Sequence, residues 1–152
     1  RYYNQDFKLR CAILRFFNVY GPGQKGNFFI PKVIYSFYKD QELKLNSPDI
    51  KRDFIYIDDI IDSIKKAMDY TKTSFEIFNI ATGKAISVKQ IVSMAQKISN
   101  KKINVEYTFE RKEVENIYAN ITKAKKVLGF VAKTSLDKGL KKTYESIKIQ
   151  SR

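Results

Sequence analysis

The chain has 152 residues, 43% hydrophobic and 14% aromatic, which supports one packed domain and excludes a disordered or collagen-like polymer. One cysteine and no histidine exclude an intramolecular disulfide framework, a zinc cluster and any histidine-based triad. Lys and Arg total 29 against 16 Asp and Glu, a net charge of +13 that favours anionic partners: nucleic acid, an acidic membrane surface or phosphorylated small molecules. Most of the cations are lysines, and their clusters (Lys65-Lys66, Lys101-Lys102, Lys123-Lys125-Lys126, Lys141-Lys142) fall on the polar sides of helices. Solvated helix faces account for them better than a dedicated polyanion surface. No apolar run reaches the roughly 18 residues of a membrane span, and no signal-peptide pattern is present, so no membrane partner and a cytoplasmic location are expected. The sequence starts with Arg1 rather than Met, as a processed chain or a piece of a longer one would.

In chain order, residues 9–17 are mostly apolar without clean alternation, the pattern of a strand covered on both faces. Asn18-Val-Tyr-Gly-Pro-Gly23 reads as a loop. Phe29, Ile30, Val33, Ile34 and Phe37 recur at helical spacing, with Pro31 in the first turn. Short strands are expected over 43–45 and 52–57. Asp58 is placed as the cap of a helix whose buried stripe is Ile60, Ile61, Ile64, Ala67 and Met68. Residues 75–81 form another strand built for burial. Ser87-Val-Lys-Gln90 matches a capping box, with Val88, Ile91, Val92, Ala95 and Ile98 behind it. A half-exposed strand over 103–109, a short helix from Thr122 stopped by Gly129, and a last helix from Ser135 with Leu136, Leu140, Tyr144 and Ile147 complete the α/β pattern. The strands at 9–17 and 75–81 want more cover than these helices supply, so sheet partners outside this chain are expected. Cys11, inside the first strand, reads as a small buried hydrophobe.

Seven motifs occur in one order: Leu14-Arg-Phe-Phe-Asn-Val-Tyr-Gly-Pro-Gly23, Phe29-Ile-Pro-Lys-Val33, Arg52-Asp-Phe-Ile-Tyr-Ile-Asp-Asp59, Phe78-Asn-Ile-Ala-Thr-Gly83, Ile86-Ser-Val-Lys-Gln-Ile91, Thr122-Lys-Ala-Lys-Lys-Val-Leu-Gly129 and Leu136-Asp-Lys-Gly-Leu140. Together they resemble the second half of the extended short-chain dehydrogenases/reductases, the NAD-dependent nucleotide-sugar epimerases and dehydratases of the UDP-glucose 4-epimerase type. The resemblance implies the C-terminal portion of that fold. Residues 1–27 would close the Rossmann half, residues 28–152 would form the substrate-binding domain, and the strand at 75–81 would return to the Rossmann sheet. The family's glycine-rich NAD loop has no counterpart here. Neither does its Tyr-x-x-x-Lys: Tyr2 is followed four residues on by Asp6, and Tyr3 by Phe7. The isolated chain is therefore expected to be inactive.

The resemblance also implies site residues. Arg52 and Arg111 fall at the positions of phosphate-contacting arginines, whose planar fork suits a pyrophosphate. Local pairing of Arg52 with Asp49 or Asp53, and of Arg111 with Glu110 or Glu113, is the plainer alternative. Glu113 is similar to the acid that holds the ribose hydroxyls, with Glu115 as substitute because the loop is one residue shorter than the family's. Asn18 faces both substrate phosphate and cofactor, or else starts a turn. Phe16 joins Asn18 toward NAD. Phe29 opens a helix whose free N–H groups meet phosphate, and Lys44, Leu45 and Asn46 lie on the strand that meets the base through its main chain. Asp58-Asp59 reads as neither metal site nor acid–base dyad. The implied partners are a nucleotide-sugar, NAD held mainly by a separate Rossmann half, and a second copy in a homodimer. A basic module for nucleic acid or a partner protein, and a half-gene product working with a separate Rossmann chain, stay open as alternatives. So does the choice among epimerase, dehydratase and decarboxylase.

Overall fold

The computed structural model describes residues 2–24, 27–110 and 112–150. After a short helix α1 (Tyr2–Phe7), strand β1 (Cys11–Phe16) runs parallel to β6 (Phe75–Ile80), in register from Cys11 opposite Phe75 to Phe16 opposite Ile80. The chain then changes sheet. The segment Asn18–Tyr20, expected as loop, is strand β2, parallel to β5 (Phe54–Tyr56). The turn-forming tendency of Asn18 is overridden because its backbone N–H and its Nδ2 both donate to the Asp53 carbonyl, at 3.2 and 2.9 Å. The strand expected over 52–57 is divided: β4 (Lys51–Arg52) pairs with β7 (Ile86–Ser87) and β9 (Asn116–Ile117), whereas β5 pairs with β2. Strand β3 (Leu43–Leu45) pairs in parallel with β8 (Val105–Tyr107).

Helices α2 (Phe29–Lys39), α4 (Val88–Ser99) and α5 (Leu136–Gln150) pack on one another. Their core holds Ile34, Phe37, Leu43, Ile91 and Leu140, each fully buried, with Tyr20 and Tyr56 edge-to-face at 5.5 Å. The capping box forms as expected: Ser87 Oγ accepts from the Gln90 N–H at 3.1 Å, and Gln90 Oε1 accepts from the Ser87 N–H at 2.9 Å. Gly139 of α5 lies so near Tyr20 that a Cβ there would stand 2.8 Å from the ring carbon Cζ.

Helix α3 (Ile57–Met68) departs from its expected form in two ways. Tyr56, not Asp58, is the N-cap residue, extended at φ −77° and ψ 146° with no side-chain cap. Asp58 instead sits in the first turn, where the helix dipole favours a carboxylate, and pairs with Lys142 at 3.1 Å. Asp59 turns inward and accepts the backbone N–H groups of Lys133 and Thr134 at 2.9 and 3.1 Å, tying α3 to the entry of α5. Of the expected stripe only Ile60 is buried; Ile61, Ile64 and Met68 are exposed, Met68 by 79%. The same shortage of cover appears on the β1–β6 sheet. Phe78 and Ile80 are buried under α3 and the π-helical turn Ala124–Leu128. Ile13 and Phe16 remain exposed, and so does Cys11, contrary to its reading as a buried residue. Its side of the strand has no covering layer among the described residues. Gly129 stops the helical turn at φ 68°, as its left-handed geometry allows. No described helix is long and apolar enough to cross a membrane.

Candidate functional site

The sheets converge on a cavity of about 590 Å³. One wall is the start of α2, where Phe29 stacks on Phe54 at 5.7 Å and 26°. Phe28, the N-cap residue, has no side chain able to satisfy the first-turn N–H groups, which leaves that end attractive to an anion. A second wall is β3, contributing Lys44 and Leu45, followed by Asn46. The floor carries Asn18 from β2 and Arg52 from β4, and the loop after β8 closes the rim with Thr108, Glu110 and Glu113.

Arg52 and Glu113 meet inside this frame. Arg52 Nη2 donates to Glu113 Oε2 at 2.9 Å, while Nη1 donates to the carbonyls of Val114 at 2.7 Å and Lys51 at 2.9 Å. Glu113 Oε1 accepts Asn46 Nδ2 at 3.0 Å. Asn46, Glu113 and Arg52 thus form one chain of contacts across the cavity. The partner of Arg52 is neither Asp49 nor Asp53, the local acids that its sequence neighbourhood offered. Its ion pair is only partly exposed, 17% for the arginine side chain, so it is less screened than a surface pair. A guanidinium carries five N–H donors, so Arg52 has donors beyond those that these bonds use.

Asp53 explains why the floor is fixed. It is fully buried, and its carboxylate accepts the Thr82 N–H at 2.9 Å, the Thr82 hydroxyl at 2.6 Å, the Gly83 N–H at 2.8 Å and the Ala119 N–H at 3.3 Å. Its carbonyl holds Asn18, and its N–H donates to the Ile117 carbonyl at 3.1 Å. One residue therefore joins β2, β5, the turn after β6 and the segment after β9. Nothing in the local sequence announces this, since three of the partners lie 29, 30 and 66 residues away.

Seven residues nominated from sequence line this one cavity: Asn18, Phe29, Lys44, Leu45, Asn46, Arg52 and Glu113. Phe16 does not; it stands exposed at the end of β1. Arg111 lies outside the described residues. Lys32, Asn27, Thr108 and Glu110 also line the cavity and were not nominated. Lys32 was within reach of sequence reasoning, because three residues after Phe29 a helix returns to the same face. The Lys44 ammonium pairs with Glu106 at 2.8 Å, and that hydrogen bond, with the Coulombic pull of Glu106 and Glu42, raises its pKa.

Parallel strands flanked by helices, with a cavity beyond a helix N-terminus, form an α/β fold whose cavity suits an anionic ligand. Comparison with known proteins agrees. The sequence profile of the GDP-mannose 4,6 dehydratase family matches residues 1–143. The UDP-glucuronate 4-epimerase of Thermodesulfobacterium geofontis is 34% identical over 148 residues, 93% of this chain and 44% of that protein. Among solved structures, the UDP-glucose 4-epimerase of Thermotoga maritima with UDP-glucose superposes at a TM-score of 0.90 with 27% identity, over 99% of this chain and 50% of that one. The UDP-glucuronic acid 4-epimerase of Bacillus cereus with UDP-glucuronic acid and NAD gives 0.88 and 32%, over 98% and 48%. The chain belongs to the GDP-mannose 4,6 dehydratase family, among the NAD-dependent nucleotide-sugar epimerases and dehydratases. It spans about half the length of the relatives it matches.

Proposed function

We propose that this chain is the nucleotide-sugar-binding half of an NAD-dependent epimerase or dehydratase, with residues 1–27 belonging to the Rossmann half and 28–152 to the substrate domain. The observation that carries the reading is that seven residues named by the resemblance line one cavity. In this reading the remaining donors of Arg52 meet the pyrophosphate, together with the uncapped start of α2. Glu113, already held by Arg52 and Asn46, uses its remaining lone pairs for the ribose hydroxyls. Arg111 would add a second cation at the phosphates.

Part of an NAD site fits. Phe16 ends β1 at the carboxyl edge of the parallel pair, where dinucleotides bind in such sheets, and Asn18 follows it into the cavity. These two residues would border the nicotinamide; the bound dinucleotide supplies the hydride acceptor. The chain's own contribution is orientation: anchoring the diphosphate fixes where the sugar lies and makes its reaction effectively unimolecular. The Tyr-x-x-x-Lys and glycine-rich loop of the resemblance are assigned to the remainder of the complete protein, so this chain alone is expected to be inactive.

Isothermal titration of UDP into the complete protein tests the reading. Arg52→Ala should weaken binding roughly 10- to 100-fold, the loss of one charged hydrogen-bonding partner. Affinity unchanged by that substitution overturns it.

A further inference from the structure

The two faces of the β1–β6 pair are unlike. Leu14, Phe78 and Ile80 turn to the core under α3 and the turn Ala124–Leu128. Side chains along a strand alternate between faces, so Cys11, Ile13 and Arg15 of β1 share the other face with Phe75, Ile77 and Asn79 opposite them. There the β1 residues are exposed and their β6 partners only half-buried. Of these six side chains Arg15 alone is charged, and no acid among the described residues pairs with it.

Helix α1 shows what lies over this face. It has six residues and none is buried, too few to hold a helix unaided. Yet it is fastened: Asn4 Nδ2 donates to the Leu9 carbonyl at 2.7 Å and to the Ser74 carbonyl at 2.8 Å, where the two strands begin. Only Lys8, Leu9 and Arg10 separate α1 from β1. Traced backward from Phe7, the helix axis therefore runs beside the strands toward their carboxyl ends, as in any helix that feeds a parallel strand. The opposite face is already taken by α3.

We propose that α1 is the end of a longer helix in the complete protein, that this helix covers the Cys11–Ile13–Arg15 face, and that it carries a carboxylate paired with Arg15. The proposal rests on reading this chain as half of a longer protein and on nothing about the ligand. An apolar layer laid on the sheet strips water from the guanidinium, and a buried charge left alone costs more than the layer recovers. A carboxylate on the covering helix removes that cost, because the arginine fork meets it in two parallel N–H···O bonds. Its place follows from the two rises. Arg15 stands roughly 13–17 Å along the strand from the level at which Asn4 is fastened. With the reach of the arginine side chain subtracted, the carboxylate falls about two to three helical turns before Asn4, on the face that Asn4 presents to the sheet. The pair fixes how the helix lies on β1, whose end leads through Phe16 to Asn18 in the cavity.

The test follows N-ethylmaleimide labelling of Cys11 in the complete protein, read by mass spectrometry of its peptide. Native protein should label at least about 100-fold more slowly than protein unfolded in urea. Arg15→Met, which keeps the stem and leaves the carboxylate buried alone, should speed native labelling at least about tenfold. Replacing that carboxylate by leucine in the Arg15→Met protein should return the rate to within about threefold of the unaltered one. Where Arg15→Met fails to fold, recovery of folding in the double variant supports the pair and continued failure overturns it. Native labelling as fast as in urea overturns the proposal, and so does a rate that Arg15→Met leaves unchanged. UDP titration of the same samples separates the two readings. Protected Cys11 without UDP binding overturns the nucleotide-sugar reading and leaves the helix in place; UDP binding with Cys11 freely labelled does the reverse.

Discussion

The cluster of α2, α4 and α5 and the layer of β1, β6 and α3 both carry apolar residues that ask for cover, yet they end differently. In the first, the pattern and the burial coincide: Ile34, Phe37, Ile91 and Leu140 are fully buried. In the second, Ile13, Phe16, Ile61, Ile64 and Met68 stand in solvent. The difference teaches that periodicity states how much cover an element asks for, and says nothing about which polypeptide provides it.

The largest expected effects lie where the two regions are bolted together. Asp53→Ala strands four donors, and should cost more than about 3 kcal/mol and melt both regions as one unit in a denaturant titration. Loss of one region alone would break the picture of a shared bolt. Ile34→Ala, in the covered region, should cost about 2–5 kcal/mol by the same measurement. Gly139→Ala pushes a methyl into the buried Tyr20 ring and should cost about 1–3 kcal/mol, seen as a lower Tm.

Alkaline pH probes the covered region without mutation. Burial, chiefly, and then the neighbouring Tyr56 and Asp59 raise the Tyr20 hydroxyl well above its ordinary value near 10. Burial also raises Tyr56 and Tyr144. A raised tyrosine keeps its proton in the folded state while the unfolded state loses it. Stability is therefore intact below pH 10 and falls above it, by up to about 1.4 kcal/mol per pH unit for Tyr20. Tyr20→Phe should flatten that slope in equilibrium unfolding over roughly pH 9 to 11. The smallest effect belongs to the uncovered layer: Ile64→Lys in this chain should stay within about 0.5 kcal/mol, although the same change in a covered stripe would be severe.

Legibility from sequence followed the range of the interactions involved. The capping box of Ser87 and Gln90, the helix stripes of α2 and α4, and the strand at 43–45 depend on near neighbours, and each stood where the residues put it. Strands β2 and β9, and the division of the strand expected over 52–57 into β4 and β5, depend on distant partners, so no local pattern marks them. Asp58 satisfied the statistics of a cap but was one position inside the helix, with Tyr56 already extended before it. In the cavity, residue types with an obvious affinity for phosphate or ribose, Arg52 and Glu113, were legible; their grip on each other was not, because a separation of 61 residues hides it.

The pairing of β1 with β6 joins residue 11 to residue 75, so the whole stretch that carries α2, β3, β4, β5 and α3 is an excursion launched and recovered by two adjacent strands. Bringing such distant ends together is slow unless the intervening chain has already contracted. The excursion does not close on itself, because β3 and β4 take their partners from residues 105–107 and 116–117: this wall is finished only by chain that comes back to it after the parallel pair has been left behind.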